Sequence, residues 1–287
     1  MRLRHECHIS GSLCREANGM YLEFYGLKEE PFNITPDPSF FFYSAGHEEA
    51  FFSLLHGIKT RKGFMELTGP IGSGKTTLYR ALLDRLGGDV RSALIINPNL
   101  SGIQLLQTII EDFEIKVQKK DRKSCFDALN GFLMNLTRTG ATAFLIIDEA
   151  QDLKPSTLEQ IRLLSNFETN KAKLLQILLV GQPELRTLLS KPSLAQIRQR
   201  ITVSVTLSAL DRTETERYIR HRIHSAGGQD MLIFDSAAID EIYRYSQGIP
   251  RLINVLCDKA LLLSYMRSNN QELRCLIEKS PPLPGPL

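Results

Sequence analysis

Short apolar runs alternate along this chain with longer stretches of helical spacing, and this alternation limits the possible folds more than any other feature. Between the runs, apolar residues recur at intervals of three and four, as a helix buried on one face requires. Strands that alternate with helices form a parallel sheet covered by helices. The sequence therefore predicts an α/β fold with a five-stranded parallel sheet sandwiched by helices. The predicted strands are Phe64–Thr68, Ala93–Ile96, Ala143–Ile147, Leu175–Val180 and Ile201–Val205, the last three predicted to be buried on both faces.

A helical region follows the last predicted strand. Residues 213–222, 236–245 and 250–265 have amphipathic spacing, and glycines separate them. We therefore expect an α/β domain over residues 20–206, including an aromatic-rich segment at its start, and a small all-α lid domain over residues 207–267.

The two ends of the chain lack these patterns. Residues 1–19 show no periodicity, and the aromatic-rich pattern starts at Met20, so either Met1 or Met20 is the natural start. Residues 278–287 contain four prolines, which neither helix nor strand tolerates. We expect residues 1–19 to be a disordered or non-native extension and residues 268–287 to be a disordered tail.

Composition limits the cellular context. The chain has 287 residues, and Lys+Arg 35 against Asp+Glu 32 gives a net charge of +3, too small to indicate a nucleic-acid or membrane partner by itself. No apolar run is long enough for a transmembrane helix or a signal peptide. The five cysteines are scattered, without metal-ligand spacing. These features predict a cytoplasmic protein with reduced thiols and no membrane span of its own.

A glycine-rich motif follows the first predicted strand. Residues 69–76 fit G-x-x-x-x-G-K-[ST] between a strand and a helix, the context in which backbone N–H groups cradle phosphates. Lys75 would contact the β- and γ-phosphates, and the Thr76 hydroxyl would bind Mg²⁺. An accidental glycine-rich turn is the alternative. The predicted nucleotide-binding residues are Gly69, Pro70, Ile71, Gly72, Ser73, Gly74, Lys75, Thr76 and Thr77.

Two adjacent carboxylates end the third predicted strand. Burying the carboxylates of Asp148 and Glu149 at this place costs free energy, which is unexpected unless an ion or a reaction needs them. Asp148 would hold Mg²⁺ through a water, and Glu149 would act as the general base toward the attacking water. A helix cap is the structural alternative, which suits Asp148 but not Glu149.

Gln182 ends the fourth predicted strand. Because ligands bind at the carboxyl ends of parallel strands, Gln182 is predicted to lie beside the γ-phosphate and to orient water. The Gly-Gln-Pro sequence around it is equally typical of an ordinary turn before a helix.

Three arginines are further candidates. Arg200, in preference to Arg198, could reach the nucleotide of a neighbouring subunit as an arginine finger, although a solvated basic face explains both residues. Arg251 opens a helix, where a cation is unfavourable unless an anion such as the γ-phosphate offsets it. A local ion pair with Asp258 or Glu241 is the alternative.

The aromatic segment before the first strand could wall an adenine pocket, but for most of its residues, which span 25–43, we favour covering a sheet edge. His47 is expected on the exposed first turn of a helix, with no metal role. Two basic stretches, residues 116–123 and 217–224, could contact phosphate backbones or simply be solvated faces.

Taken together, these motifs resemble the AAA+ ATPases of the general secretion pathway protein A (ExeA) type, a class of P-loop NTPases. The resemblance covers residues 20–266 and includes Pro31-Phe32, the glycine-rich loop and the motifs at 148–151, 181–185 and 248–251. It implies a P-loop role for residues 69–76, Walker B roles for Asp148 and Glu149 and a sensor role for Arg251. It also implies a sensor-1 role for Gln182 and an arginine finger within residues 198–200.

The resemblance also implies a function. We expect a cytoplasmic, homo-oligomeric ATPase that binds ATP and Mg²⁺ between the α/β domain and the lid. It would remodel a protein partner of a secretion or pilus-type system, which could recruit it to the inner membrane. Related short ATPases act in transposition, so a DNA-binding ATPase of a transposition system is the second hypothesis. A nucleotide-gated binding module with little turnover is the third.

Overall fold

The chain folds as two packing units within the residues that the computed structural model describes, which are 21–96, 100–168, 172–228 and 234–267. The first unit comprises residues 43–208, and the second combines residues 21–42 with the described part of the chain after residue 208. The predictions for residues 1–19 and 268–287 concern segments outside the described residues.

The first unit is built on the predicted five-stranded sheet. Its strand order is β2-β3-β4-β1-β5, and every neighbouring pair is parallel, which confirms the predicted fold class. The second strand starts at Val90 rather than Ala93. The strands are β1 (Phe64–Thr68), β2 (Val90–Ile95), β3 (Thr142–Ile147), β4 (Leu175–Gly181) and β5 (Ile201–Thr206).

Burial differs between the central and the edge strands. Every residue of β1 and β4 is buried, as is all of β3 except its first residue. In β5 the residues alternate between half-buried and exposed, so the prediction that this strand is buried on both faces is wrong. The reason is that β5 forms an edge of the sheet, and its alternation of apolar and hydroxyl side chains fits that place.

Helices connect these strands, and short polar side chains fix several of their starts. Ser44 caps α1, Asp121 caps α4, and Ser101 and Gln104 form a capping box at the start of α3. The helices are α1 (Ala45–Lys59), α2 (Lys75–Leu86), α3 (Gly102–Asp112), α4 (Arg122–Arg138), α5 (Pro155–Leu164), α6 (Glu184–Leu189) and α7 (Ala195–Arg198).

The second unit is helical, as predicted after residue 207. It contains α8 (Arg212–Ser225), α9 (Ser236–Ser246) and α10 (Pro250–Met266). Its core also holds aromatic residues from residues 21–42, among them Tyr21, Phe32 and Phe40. These aromatics therefore do not cover a sheet edge, because the apolar faces of the three helices bury them instead.

Two further observations bear on the composition-based expectations. None of the helices in the described ranges is long and apolar enough to cross a membrane. Cys125 and Cys257 are buried free thiols.

Candidate active site

The predicted functional residues of the first unit meet at one edge of its sheet. β3, β4 and β1 are consecutive neighbours, with Ile147 opposite Leu179 and Thr68 opposite Gly181. Because the strands are parallel, the segments that follow them leave the sheet at the same end. The glycine-rich loop, the acidic pair and Gln182 are therefore brought together by the strand order.

The glycine-rich loop turns sharply between β1 and α2. Gly74 has a φ of 94°, in the left-handed region, and it is the residue that caps α2. A Cβ at Gly69 would lie 2.8 Å from Ser73 Oγ and 2.9 Å from the Leu207 carbonyl oxygen. These positions require glycine, and the loop delivers Lys75 to the positive N-terminal end of a helix, which is where anions bind.

Lys75 is largely buried beneath the loop. Its side chain is 8% exposed, and Nζ donates to the carbonyl oxygens of Gly69 at 2.8 Å and Pro70 at 2.9 Å. Burial lowers the pKa of Lys75, while the nearby carboxylates of Glu149 and Asp148 act in the opposite direction. A buried cation whose hydrogen bonds go to neutral carbonyl groups is suited to exchange those contacts for phosphate oxygens.

Asp148 lies buried at the end of β3. Its Oδ2 accepts a hydrogen bond from the Tyr79 hydroxyl at 3.1 Å, and its Oδ1 accepts the Glu149 backbone N–H at 2.9 Å. Burial raises the pKa of Asp148. Burial together with the Asp148 carboxylate raises the pKa of Tyr79 to about 12. Tyr79 therefore stays a neutral donor and ties Asp148 to helix α2.

The donor set around Asp148 fits a magnesium ion. The Thr76 side chain lowers the pKa of Tyr79 against the larger effects of burial and Asp148, so the Thr76 hydroxyl and the Asp148 carboxylate share Tyr79 as a neighbour. Oxygen ligands of this kind suit Mg²⁺, which keeps several waters and takes further ligands from substrate phosphates. Within the described ranges no cluster of three or more His, Cys, Asp or Glu residues could hold a metal ion.

Glu149 is held by two amide side chains. Its backbone is left-handed, with a φ of 51°. Its Oε2 accepts from Gln151 Nε2 at 2.8 Å and from Gln182 Nε2 at 3.4 Å. A left-handed backbone is uncommon at a residue other than glycine. The candidate base and the candidate sensor are thus in direct contact.

Gln151 completes this cluster, and sequence reasoning assigned it no role. Its Oε1 accepts the backbone N–H of Gln182 at 3.0 Å while its Nε2 donates to Glu149. One amide therefore links the end of β3 to the end of β4. Its position two residues after Glu149 was the only feature of the sequence that could have indicated this contact.

His47 is the second residue that sequence reasoning missed, and the prediction that it is exposed is wrong. It is 5% exposed, and its Nε2 lies 2.9 Å from the Ser73 carbonyl oxygen in the glycine-rich loop. The physical reason is that Ser44 starts α1 close to this loop, so that the first turn of the helix faces inward. No local sequence pattern reports such a long-range contact.

The predicted arginines lie outside this cluster of contacts. Arg198 is exposed and bonds the Ser190 carbonyl oxygen at 3.4 Å. Arg200 Nη1 donates to Asn166 Oδ1 at 2.8 Å and also to Ser165 Oγ. Both arginines thus form hydrogen bonds with residues at the ends of helices in their own unit. The arginine-finger role of Arg200 stays a prediction.

Arg251 lies in the second unit, at an exposed position in the first turn of α10. The carboxylates considered as its partners are engaged elsewhere. Asp258 accepts from the Tyr21 hydroxyl at 3.2 Å, and Glu241 pairs with Arg244 at 2.6 Å. The sensor role of Arg251 stays a prediction.

Comparisons with known proteins agree with this geometry. Residues 58–189 match the family model described as an AAA domain. General secretion pathway protein A of Aeromonas hydrophila is 41% identical over 253 residues, which is 88% of this chain. The chain spans 46% of the length of that relative. These matches confirm the resemblance predicted from the motifs.

Solved structures of low identity share the fold. ORC2 of Aeropyrum pernix aligns with a TM-score of 0.62 at 18% identity, over 82% of this chain and 66% of that one. Cdc6p of Pyrobaculum aerophilum aligns with a TM-score of 0.60 at 17% identity, over 78% of this chain and 63% of that one. The RuvB Holliday junction branch migration motor of Thermotoga maritima aligns with a TM-score of 0.55 at 18% identity, over 83% of this chain and 68% of that one.

Proposed function

We propose that this chain, which carries an AAA ATPase domain of the general secretion pathway protein A type, couples ATP hydrolysis to the assembly or remodelling of a partner. The observation that carries the proposal is the direct contact of Glu149 with Gln182 beside a P-loop whose Lys75 is buried and held by carbonyl groups. The proposed base, phosphate sensor and phosphate-binding cation then lie at one edge of the sheet.

The P-loop binds the phosphates of ATP. Lys75 gives up its contacts with the Gly69 and Pro70 carbonyl oxygens and takes β- and γ-phosphate oxygens in their place. The backbone N–H groups of residues 72–77 and the N-terminal end of α2 complete the cradle. Thr76 and Asp148 would hold Mg²⁺, which would supply positive charge to neutralise the charge that develops on the phosphates.

Glu149 acts on the attacking water. The water oxygen bonds to the γ-phosphorus, the bond from that phosphorus to the β–γ bridging oxygen breaks, and Glu149 takes the proton that the water loses. The products are ADP and inorganic phosphate. Gln182, which touches the same carboxylate, orients the water and contacts the γ-phosphate.

The proposal includes roles for two arginines. Arg251 would act as a sensor of the γ-phosphate, and Arg200 would serve a neighbouring copy as an arginine finger, for which it must leave Ser165 and Asn166. A homo-oligomer would then be the active form.

The name of the Aeromonas relative supports a partner in a secretion system. A pilus-type partner, and recruitment from the cytoplasm to the inner membrane by the partner, are further parts of the proposal. This part of the proposal rests on a relative that this chain covers only in part.

A DNA-binding ATPase of a transposition system is the second candidate. Exposed lysines before and within α4, at positions 116, 119 and 123, favour it. The other basic stretch does not add to it, because Arg222 is buried and Arg220 pairs with Glu216 at 2.9 Å.

Steady-state ATP turnover over a range of protein concentrations, with and without duplex DNA at low salt, tests both candidates. Turnover per subunit that rises with protein concentration and ignores DNA supports the assembly ATPase. Stimulation by DNA that weakens as salt rises supports the transposition candidate. Turnover that never exceeds that of a Lys75→Ala control would contradict both.

A further inference from the structure

The imidazole of His47 joins the first helix to the P-loop. It is 5% exposed, with Nδ1 2.7 Å from Ser44 Oγ and Nε2 2.9 Å from the Ser73 carbonyl oxygen. A Cβ added at Gly74 would lie 3.1 Å from the same Nε2, so the ring packs directly on the loop. All of these residues belong to the first unit.

These contacts define which ring nitrogen carries the proton in the neutral imidazole. A carbonyl oxygen only accepts, so Nε2 must be the N–H that donates to Ser73. Nδ1 is then the acceptor, and the Ser44 hydroxyl donates to it. Ser44 Oγ also accepts the His47 backbone N–H at 3.3 Å as the cap of α1. The helix cap, the tautomer and the loop contact therefore support one another.

The contact also fixes the direction of one peptide group in the loop. In a trans peptide the C=O and the next N–H point in opposite directions. With the Ser73 carbonyl turned toward His47, the Gly74 N–H points away from the ring. Gly74 is the N-cap of helix α2 and immediately precedes Lys75, so this N–H lies next to the amides at the positive end of that helix.

We propose that His47 is a positioning residue for phosphate recognition: it holds the Ser73 carbonyl so that the Gly74 N–H is presented to a nucleotide phosphate. The inference rests on the proposed function, since it deepens the role of the same P-loop. His47 itself does not touch the nucleotide. Its effect is transmitted through the peptide group between Ser73 and Gly74. Without the hydrogen bond from His47, this peptide group could rotate and point its N–H elsewhere.

The test compares His47→Leu with His47→Gln. Leucine keeps bulk in the helix but donates nothing, whereas the longer glutamine can place an amide N–H near the position of Nε2. His56→Leu, at an exposed site on the same helix, is the matched control. We measure KM for ATP, kcat and the thermal unfolding temperature without nucleotide for each variant, beside wild type and Lys75→Ala.

His47→Leu should raise KM about tenfold, the equivalent of one lost hydrogen bond to a charged group, with kcat changed less than about threefold. Glutamine should recover most of this loss, and His56→Leu should behave as wild type. A purely structural role would lower kcat through the folded fraction and leave KM unchanged, and it would overturn the inference. Equal defects in the Leu and Gln variants would overturn it as well.

The two proposals fail in distinguishable ways. If wild type hydrolyses ATP, Lys75→Ala does not, and His47→Leu keeps the wild-type KM, only the inference about His47 is wrong. If wild type and Lys75→Ala are equally inactive, the proposed function is wrong, and the inference falls with it.

Discussion

At the scale of single residues, Gln151 decides how the candidate base is oriented. Its amide cannot be turned over without loss, because Oε1 must face the Gln182 backbone N–H. Nε2 is thereby directed at Glu149, which it meets at 2.8 Å. Orientation of a catalytic group by such supporting contacts commonly decides much of its activity.

Gln151→Leu should therefore lower kcat about tenfold while KM for ATP changes little, since the P-loop contacts of Lys75 are untouched. Steady-state turnover at saturating ATP measures the effect. Gln118→Leu, an exposed position, is the matched control. A Gln151→Leu variant with wild-type kcat would contradict the orienting role.

The position of the residues with a chemical pattern at one sheet edge could be predicted from the sequence, whereas the contacts of residues with only a spatial relation could not. The P-loop, Asp148 and Glu149 carry spacings that phosphate chemistry requires, and the structure brings them to one sheet edge. His47 and Gln151 act through contacts with loops distant in the chain, of residues 73 and 182. Polarity alone made His47 resemble a surface residue.

At the scale of elements, a polar cluster joins β1, α6 and β5, in which Glu66 is buried and Arg186 and Ser204 are exposed. Glu66 in the central strand is 5% exposed, and its Oε1 accepts from Arg186 Nε at 3.1 Å. Its Oε2 accepts from the Ser204 hydroxyl at 3.1 Å, and Arg186 Nη2 donates to the same hydroxyl at 2.8 Å. The cluster fixes α6, which follows directly after Gln182, against the sheet.

Arg186→Leu should destabilise the protein by about 2 kcal/mol, because it leaves the buried Glu66 carboxylate with a single hydroxyl donor. Urea unfolding measures the loss. The Glu66→Leu/Arg186→Leu double variant should recover most of it, since no buried charge then remains. A single variant as stable as wild type would contradict this account of the cluster.

Strand and helix positions were largely predictable because apolar periodicity reports burial. The edge position of β5 was not, although its alternating sequence is typical of an edge strand. Strand order depends on which chain crossovers pack together, so the alternation within β5 is consistent with an edge position but does not identify which strand lies beside it.

At the scale of the whole molecule, the packing partner of the N-terminal segment was the least predictable feature. Residues 21–42 belong to the helical unit, although more than 160 residues separate them from its other part. Aromatic content predicts burial but not the core in which it occurs. The proposed ATPase chemistry, by contrast, draws its base, sensor and P-loop from residues 43–208 alone.

That chemistry is tested most directly by single-turnover hydrolysis of ATP by the Glu149→Gln variant at protein concentrations where ATP binding is saturated. Glutamine has nearly the shape of glutamate but cannot take the proton from water. The variant should therefore bind ATP with an affinity within a few-fold of wild type and hydrolyse it at least about a hundredfold more slowly. Glu48→Gln, at an exposed position of α1, should hydrolyse ATP as wild type does. Hydrolysis by Glu149→Gln at the wild-type rate would contradict the account.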